Sequence, residues 1–201
     1  MDKTITREQI NIHFNKIKFI NSITDSIAAY GVQCGLKNFT DDLDMNCGAV
    51  PEGEIDQIID PSSPLEFLSL YTKISCDRFA MTVIQISMLH PNCKKAICSF
   101  LRDIGKQNQS DKIASPQDAV SFLENIILEG NIEDTTKEII SSSEKEIVWK
   151  SINSMHEKSW QRFKGNINLF YELLETFINA ILENTKFIFK RDGELFVVGE
   201  K

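Results

Sequence analysis

The feature that most constrains the fold is a long segment without charge. Residues 79–93 include no Asp, Glu, Lys or Arg, and they continue a helical pattern that begins at Pro64, after the predicted N-cap Ser63. A helix that is apolar around its whole circumference has to be surrounded by other elements. The sequence therefore predicts a buried central helix over residues 64–90, which ends because Pro91 cannot continue it.

Other helix signals flank this segment. Thr6 and Gln9 form a capping-box pattern ahead of a first helix that ends near Gly31 and Gly35. With only 5 Pro and 9 Gly residues, little interrupts the helical patterns. We expect an all-α fold, a single helical bundle of about six to seven helices that forms one domain over residues 1–201. Further helix starts are predicted at Asn92, Ser115, Ser143 and Asn166.

The helix start at Ser143 depends on a second capping-box pattern, because Glu146 follows three residues later. We expect one helix from this start through Trp160 to Lys164. Its predicted apolar residues are Ile147, Val148, Ile152 and Met155.

Residues 186–198 have the pattern of a C-terminal β-hairpin. Asp192 and Gly193 lie between two β-rich runs, and a type I′ turn needs positive φ at both central residues. This turn would pair Arg191 with Glu194. One face of the hairpin is expected to lie on the bundle, with Phe187, Phe189, Phe196 and Val198. The other face is the predicted interface for another chain, including a second copy in a homo-oligomer, with Ile188, Lys190, Leu195 and Val197.

The start of the chain and its cysteines indicate in which cellular compartment the protein works. The chain starts without an apolar stretch behind a basic head, so we expect no secretory signal. The longest weakly charged apolar run, residues 79–89, is too short to span a bilayer. Five cysteines without paired spacing favour a reducing environment. We expect a cytoplasmic protein, or one delivered to a host cytosol without a cleavable signal peptide.

The formal net charge of −7 is concentrated in one segment. No Lys or Arg occurs between Lys37 and Lys73. We expect residues 38–62 to form an acidic loop, since Gly48 and Pro51 break any regular pattern. An acidic surface steers and selects basic partners, and the chain's overall charge weighs against nucleic acid and anionic membranes. The predicted partner-binding residues are Asp41, Asp42, Asp44, Glu52, Glu54, Asp56 and Asp60.

Two other readings of the acidic segment are a calcium loop and a solvated loop. In an EF-hand register that starts at Asp42, Cys47 stands where glycine is needed and Gly53 where the bidentate glutamate is needed. The calcium reading therefore fails at two positions, and we predict no metal site. A solvated loop without a partner stays open beside the docking surface.

The motifs of common enzymes do not occur in the sequence. His13, His90 and His156 lie on separate predicted elements and have no partner at metal-motif spacing. We find no Cys-x-x-Cys, no glycine-rich phosphate loop and no Gly-x-Ser-x-Gly elbow. We therefore predict no catalytic residue and no cofactor, although an enzyme whose site is assembled from scattered residues stays open.

Arg78 adjoins the charge-free half of the central helix. It could bind an anionic ligand inside the bundle. Alternatively, it could pair with a carboxylate of a packed neighbour or reach the surface along its stem. The sequence leaves both roles open.

These observations favour a non-enzymatic interaction protein that binds a basic protein partner. Inhibitors, adaptors, immunity proteins and host-directed effectors are the classes that fit. The alternative is a helical small-molecule sensor or carrier with an apolar pocket inside the bundle, where Arg78 binds an anionic group of the ligand.

Overall fold

The computed structural model describes residues 5–60, 62–89 and 92–201. Within these residues the chain forms eight helices and a four-stranded antiparallel sheet. The predicted all-α bundle is therefore wrong. The fold is mixed and mostly helical, and the predicted C-terminal hairpin is one half of its sheet.

The elements follow one another along the chain with short connections. The helices are α1 (Arg7–Gln33), α2 (Phe39–Cys47), α3 (Ile55–Ile58), α4 (Pro64–Leu89), α5 (Cys93–Gln107), α6 (Pro116–Glu124), α7 (Met155–Arg162) and α8 (Ile167–Ile181). The strands are β1 (Lys137–Ser142), β2 (Glu146–Ser151), β3 (Phe187–Asp192) and β4 (Leu195–Glu200).

The chain divides into two compact units. Unit 1 contains α1 to α4, residues 125–134 and α7. Unit 2 contains α5, α6, α8 and the sheet. The prediction that residues 1–201 form one domain stays a prediction.

Unit 1 is built on two long helices, α1 and α4. The predicted start of α1 is confirmed, because the Thr6 hydroxyl accepts from the Gln9 backbone N–H and the Thr6 N–H donates to Gln9 Oε1. Helix α4 begins at Pro64 as predicted and packs against α1, α2 and α7. The predicted end of that helix at His90 and Pro91 lies outside the described residues.

Burial of α4 is centred earlier than the sequence predicted, because Met88 and Leu89 at the end of its charge-free half are 81% and 42% exposed. Every residue from Ile74 to Val83 is buried, so the run includes the charged pair Asp77 and Arg78. Helix α4 also contributes to the apolar core of unit 1, together with α1, the α3 region and the segment after α6. Buried members of this core are Ile10, Phe14, Ile17, Ile55, Ile59, Leu68, Cys76 and Leu128.

Unit 2 packs α5 and α8 together and places the sheet beside α8. The two helices come unusually close, since a Cβ atom at Gly105 would lie 2.6 Å from the Cβ of Ala180. Asn179 ties α8 to β3 by donating to the Phe189 carbonyl at 2.9 Å and accepting from its N–H at 2.9 Å. The strand order is β1-β2-β4-β3, with every neighbouring pair antiparallel.

Strand β2 replaces part of the helix predicted from Ser143 to Lys164, and β1 precedes that range. Ser143 and Glu146 do form a local turn, in which the Ser143 hydroxyl accepts from the Glu146 N–H at 3.1 Å. That turn connects β1 to β2, and α7 starts only at Met155. The apolar residues after the turn alternate, because Ile147 and Trp149 are buried on one face of the sheet. Strand pairing therefore overrides the capping signal.

The C-terminal hairpin is confirmed, but its turn lies one residue later than predicted. Asp192 pairs with Leu195, so the two loop residues are Gly193 and Glu194. Gly193 has φ +61°, and the first loop position is where a type II′ turn needs glycine. Each residue of β3 therefore pairs with a β4 residue two positions later than predicted. Because side chains alternate along a strand, a shift of two residues leaves each side chain on its predicted face. The predicted inner residues Phe187, Phe189, Phe196 and Val198 are all buried.

No helix in the described part of the chain is long and apolar enough to cross a membrane.

Candidate binding site on unit 1

The acidic segment is structured rather than a loop. Helix α2 occupies residues 39–47 because Phe39, Leu43 and Cys47 recur every four residues and are buried. The sequence predicted a loop here, and the helix starts without a side-chain cap at Asn38, which has φ +55°. Asp41 and Asp42 lie in its first turn, where carboxylates interact favourably with the helix dipole. A second, short helix of the segment is α3, at residues 55–58.

The predicted partner-binding carboxylates fall into two groups. Four of them make contacts within unit 1: Asp44 pairs with Arg78, Glu54 with Lys18 and Asp56 with Arg7, while Asp60 accepts from Ser62. The other three are Asp41, Asp42 and Glu52, which have no ion-pair partner among the described residues. We call these three residues the acidic face; Asp41 and Glu52 are exposed, and Asp42 is half-buried.

Arg78 is buried and already bound. Its guanidinium pairs with Asp44 and also donates to the Gly48 carbonyl at 3.0 Å. Gly48 ends α2 with φ +104°, a conformation that favours glycine, and this turns its carbonyl away from the helix. Arg78 therefore fastens the end of α2 to α4, and its role in binding a ligand stays a prediction.

A second buried charge lies next to Arg78 in the chain. The side chain of Asp77 is 3% exposed and accepts from Lys73, one turn earlier on α4, at 2.8 Å. It also pairs with Arg162 of α7, which donates in turn to the Asn46 carbonyl at 2.9 Å. The spacing of Lys73 and Asp77 is visible in the sequence. Arg162 was missed, since nothing in the sequence relates a residue of α7 to α2 and α4.

A cavity of about 870 Å³ opens beside α2, and we call it the α1–α2 cavity. One face of α1 forms its longest wall, with contributions from α2, from residues 49–52 and from Arg78. Apolar side chains predominate along this wall. Residues that line the cavity include Lys18, Asn21, Ser22, Asp25, Ala28, Ala29, Val32, Leu43, Val50 and Glu52.

Two polar residues of the cavity wall stand out, one by its missing hydrogen bonds and the other by its raised pKa. Asn21 is only 6% exposed, and its amide oxygen and nitrogen have no hydrogen-bond partner among the described residues. Asp25 follows four residues later on the same face of α1. Asp25 is exposed, and only partial withdrawal of its carboxyl group from water raises its pKa; the charge of Arg78 opposes this shift and that of Asp44 adds to it.

Two histidines are buried in unit 1. His13 Nε2 lies 2.7 Å from Thr72 Oγ1, and His156 Nε2 donates to the Leu128 carbonyl at 2.7 Å. Burial lowers the pKa of each to about 4, so both rings are neutral near pH 7. His90 lies outside the described residues.

The Cys76 thiol lies 3.9 Å from His156 Nε2, but the pair does not form an activated nucleophile. Burial raises the pKa of Cys76, which disfavours the reactive thiolate. The same cause, with the charge of Asp77, raises the pKa of Cys47 to about 11. No group of three or more His, Cys, Asp or Glu side chains in residues 5–60, 62–89 and 92–201 is placed to hold a metal ion.

The predicted interface residues of the hairpin lie on the sheet face opposite the aromatic core of unit 2. Ile188, Leu195 and Val197 are half-buried and Lys190 is exposed. Their role in binding another chain stays a prediction.

Comparison with protein-family models, with curated proteins and with solved structures finds no significant match to this chain.

Proposed function

We propose that the protein is a non-enzymatic interaction protein that binds a basic protein partner through the acidic face of unit 1. The supporting observation is that Asp41, Asp42 and Glu52 have no cation beside them among the described residues, in a segment that contains no Lys or Arg. Carboxylates without an ion-pair partner attract and orient a positively charged partner.

An apolar anchor accompanies this charge. Met45 follows Asp42 on α2, and 81% of its surface is exposed. Interfaces gain most of their affinity from a few buried contacts surrounded by a polar rim. Methionine suits such a contact, because its flexible and polarisable side chain adapts to the surface that covers it.

Two neighbouring carboxylates can enlarge the acidic face when a partner arrives. Glu54 and Asp56 pair with Lys18 and Arg7, but the side chains of both carboxylates are at least 77% exposed. Exposed ion pairs contribute little to stability, on the order of 0–1 kcal/mol, so a partner's cations can replace them at low cost.

The proposal is tested by affinity purification with a neutral variant of the acidic face, D41N/D42N/E52Q. The full chain serves as bait, at low and at moderate salt. We expect a partner that the wild type retains to be lost by the variant, and wild-type binding to weaken as salt increases.

The matched control removes three charges elsewhere. Asp111, Glu133 and Glu144 are exposed, so D111N/E133Q/E144Q has the same net charge as the test variant. The control should retain the partner. Equal recovery by the wild type and the test variant would overturn the proposal.

In this proposal the protein works in the cytoplasm of its cell or in the cytosol of a host. A second candidate, a small-molecule sensor or carrier, is favoured by the α1–α2 cavity. Native mass spectrometry of the purified chain distinguishes the two, because a carrier is expected to retain a ligand.

A further inference from the structure

The α1–α2 cavity has walls that fit an elongated apolar group. Ala28, Ala29 and Val32 follow one another along a single face of α1, since residues three and four apart lie on one side of a helix. Leu43 of α2 and Val50 also line the cavity. The small alanine side chains leave room along α1 for an alkyl chain.

The cations of the cavity wall are already neutralised. Lys18 Nζ lies 3.3 Å from Glu54 Oε1, and Arg78 pairs with Asp44 while donating to the Gly48 carbonyl. An anionic ligand at the buried Arg78 would have to displace Asp44, whereas the exposed pair of Lys18 with Glu54 exchanges at low cost. The cavity therefore does not offer the free arginine that an anion-reading pocket needs.

The carboxylates that remain give the cavity a negative character. Asp25 and Glu52 line it and have no ion-pair partner within the part of the chain that the structure describes. Ser22 lies one turn before Asp25, and its hydroxyl donates to the Phe19 carbonyl at 2.8 Å, which leaves oxygen lone pairs as acceptors.

We propose that the α1–α2 cavity binds a protonated alkylamine, with the ammonium group on the Asp25 carboxylate and the alkyl chain along Ala28 and Val32. An ammonium group has three N–H donors and no acceptor, which matches a carboxylate beside a hydroxyl oxygen. This assignment goes beyond the proposed partner binding and does not depend on it.

Three probes with the same alkyl chain separate charge from apolar contact: n-hexylamine, hexanoate and 1-hexanol. Each is titrated into the isotopically labelled full chain, and backbone amide shifts are followed by NMR. Hexylamine is expected to bind saturably at millimolar concentration, with the largest shifts at Asp25, Ala28 and Val32. Hexanol should bind more weakly at the same residues, and hexanoate should be the weakest of the three.

Two variants assign the contacts. D25N should weaken hexylamine binding by about tenfold, because a charge-assisted hydrogen bond is lost, and should leave hexanol binding unchanged. A29F should weaken both, since its ring occupies the space of the alkyl chain. Asp111 is exposed in unit 2, so D111N is the matched charge control and should change neither.

The proposal is overturned if hexanoate binds as tightly as hexylamine, if D25N retains the wild-type affinity, or if hexylamine causes no saturable shift. Its failure is separable from that of the proposed function. Partner capture is tested by D41N/D42N/E52Q, whereas the amine site is tested by D25N.

Discussion

The interiors of the two units differ in chemistry. Nearly all buried polar and charged side chains of the described residues lie in unit 1, among them His13, Thr72, Asp77, Arg78 and His156. The interior of unit 2 contains an aromatic cluster. The ring centroids of Trp149 and Phe196 are 5.9 Å apart, and those of Phe189 and Phe196 are 6.0 Å apart, with both pairs stacked. Unit 1 therefore has hydrogen bonds and ion pairs among its apolar helix contacts, whereas unit 2 has an aromatic cluster on its sheet that contacts Tyr171 of α8. Unit 1 should therefore respond to pH and to loss of charge, and unit 2 to loss of volume.

The largest effect is expected in unit 2, from F189A. Phe189 is 1% exposed and contacts both Trp149 and Phe196, so the substitution opens a cavity in the aromatic cluster. We expect the free energy of unfolding to fall by about 3–5 kcal/mol. Chemical denaturation followed by circular dichroism measures this loss. F189L preserves most of the apolar volume and should cost less, and a loss below about 1 kcal/mol for F189A would contradict the volume argument.

Acid should destabilise unit 1 through its histidines. Both have a pKa lowered from 6.5 to about 4, so between these values the unfolded chain binds more protons than the folded chain. The contribution of the two neutral histidines to the free energy of unfolding is therefore complete above pH 6.5, and it is lost as the pH falls towards 4. The decrease is at most about 3 kcal/mol for each histidine.

Proton NMR of the imidazole rings tests this pH dependence at each site. The resonances of His13 and His156 should stay in the neutral form down to about pH 4. Rings that titrate near 6.5 in the folded protein would show that the two sites are hydrated, and the contrast between the units would weaken accordingly.

A smaller loss is expected from D77N. The substitution removes the carboxylate charge that binds Lys73 and Arg162. Breaking a fully buried pair costs about 3–5 kcal/mol, but the side chains of these two cations are 54% and 44% exposed and can reach water. We therefore expect a decrease of about 1–3 kcal/mol in the free energy of unfolding. A double-mutant cycle with R162M should show coupling, and additive losses would contradict a direct interaction.

The smallest effect is expected from D56N, which removes the same charge from an exposed pair. Asp56 and its partner Arg7 have side chains that are 82% and 49% exposed. Solvent screens this contact, so the free energy of unfolding should change by less than about 0.5 kcal/mol. If D56N and D77N proved equally costly, burial would not be what distinguishes the two carboxylates.

The parts of the fold that sequence reasoning predicted correctly are those with strong local signals. The capping box at Thr6 and the N-cap at Asn166 both form, and the Asn166 side chain accepts from the Asn168 N–H at 3.0 Å. The similar pattern at Ser143 also forms a turn, but a strand follows. That strand pairs with β1 just before it and with β4 far along the chain. The alternation of Ile147 and Trp149 is its only local signal, and the pairing with β4 has none.

The candidate site was only partly predictable for the same reason. Spacing along one helix predicts the contact between Lys73 and Asp77, because residues four apart are neighbours. The pair of Arg78 with Asp44 depends on how α2 folds back onto α4. The α1–α2 cavity depends on the same return of the chain, and the sequence predicted a loop there.

The turn of the C-terminal hairpin implies a parity rule for insertions and deletions. Side chains alternate between the faces of a strand, so a change of two residues in the turn leaves Phe196 and Val198 facing inward. A shift of β4 by a single residue would turn both towards the opposite face and bring Leu195 and Val197 into the aromatic cluster. One residue added at this turn should therefore be tolerated only where a three-residue loop absorbs it and the register of β4 is kept.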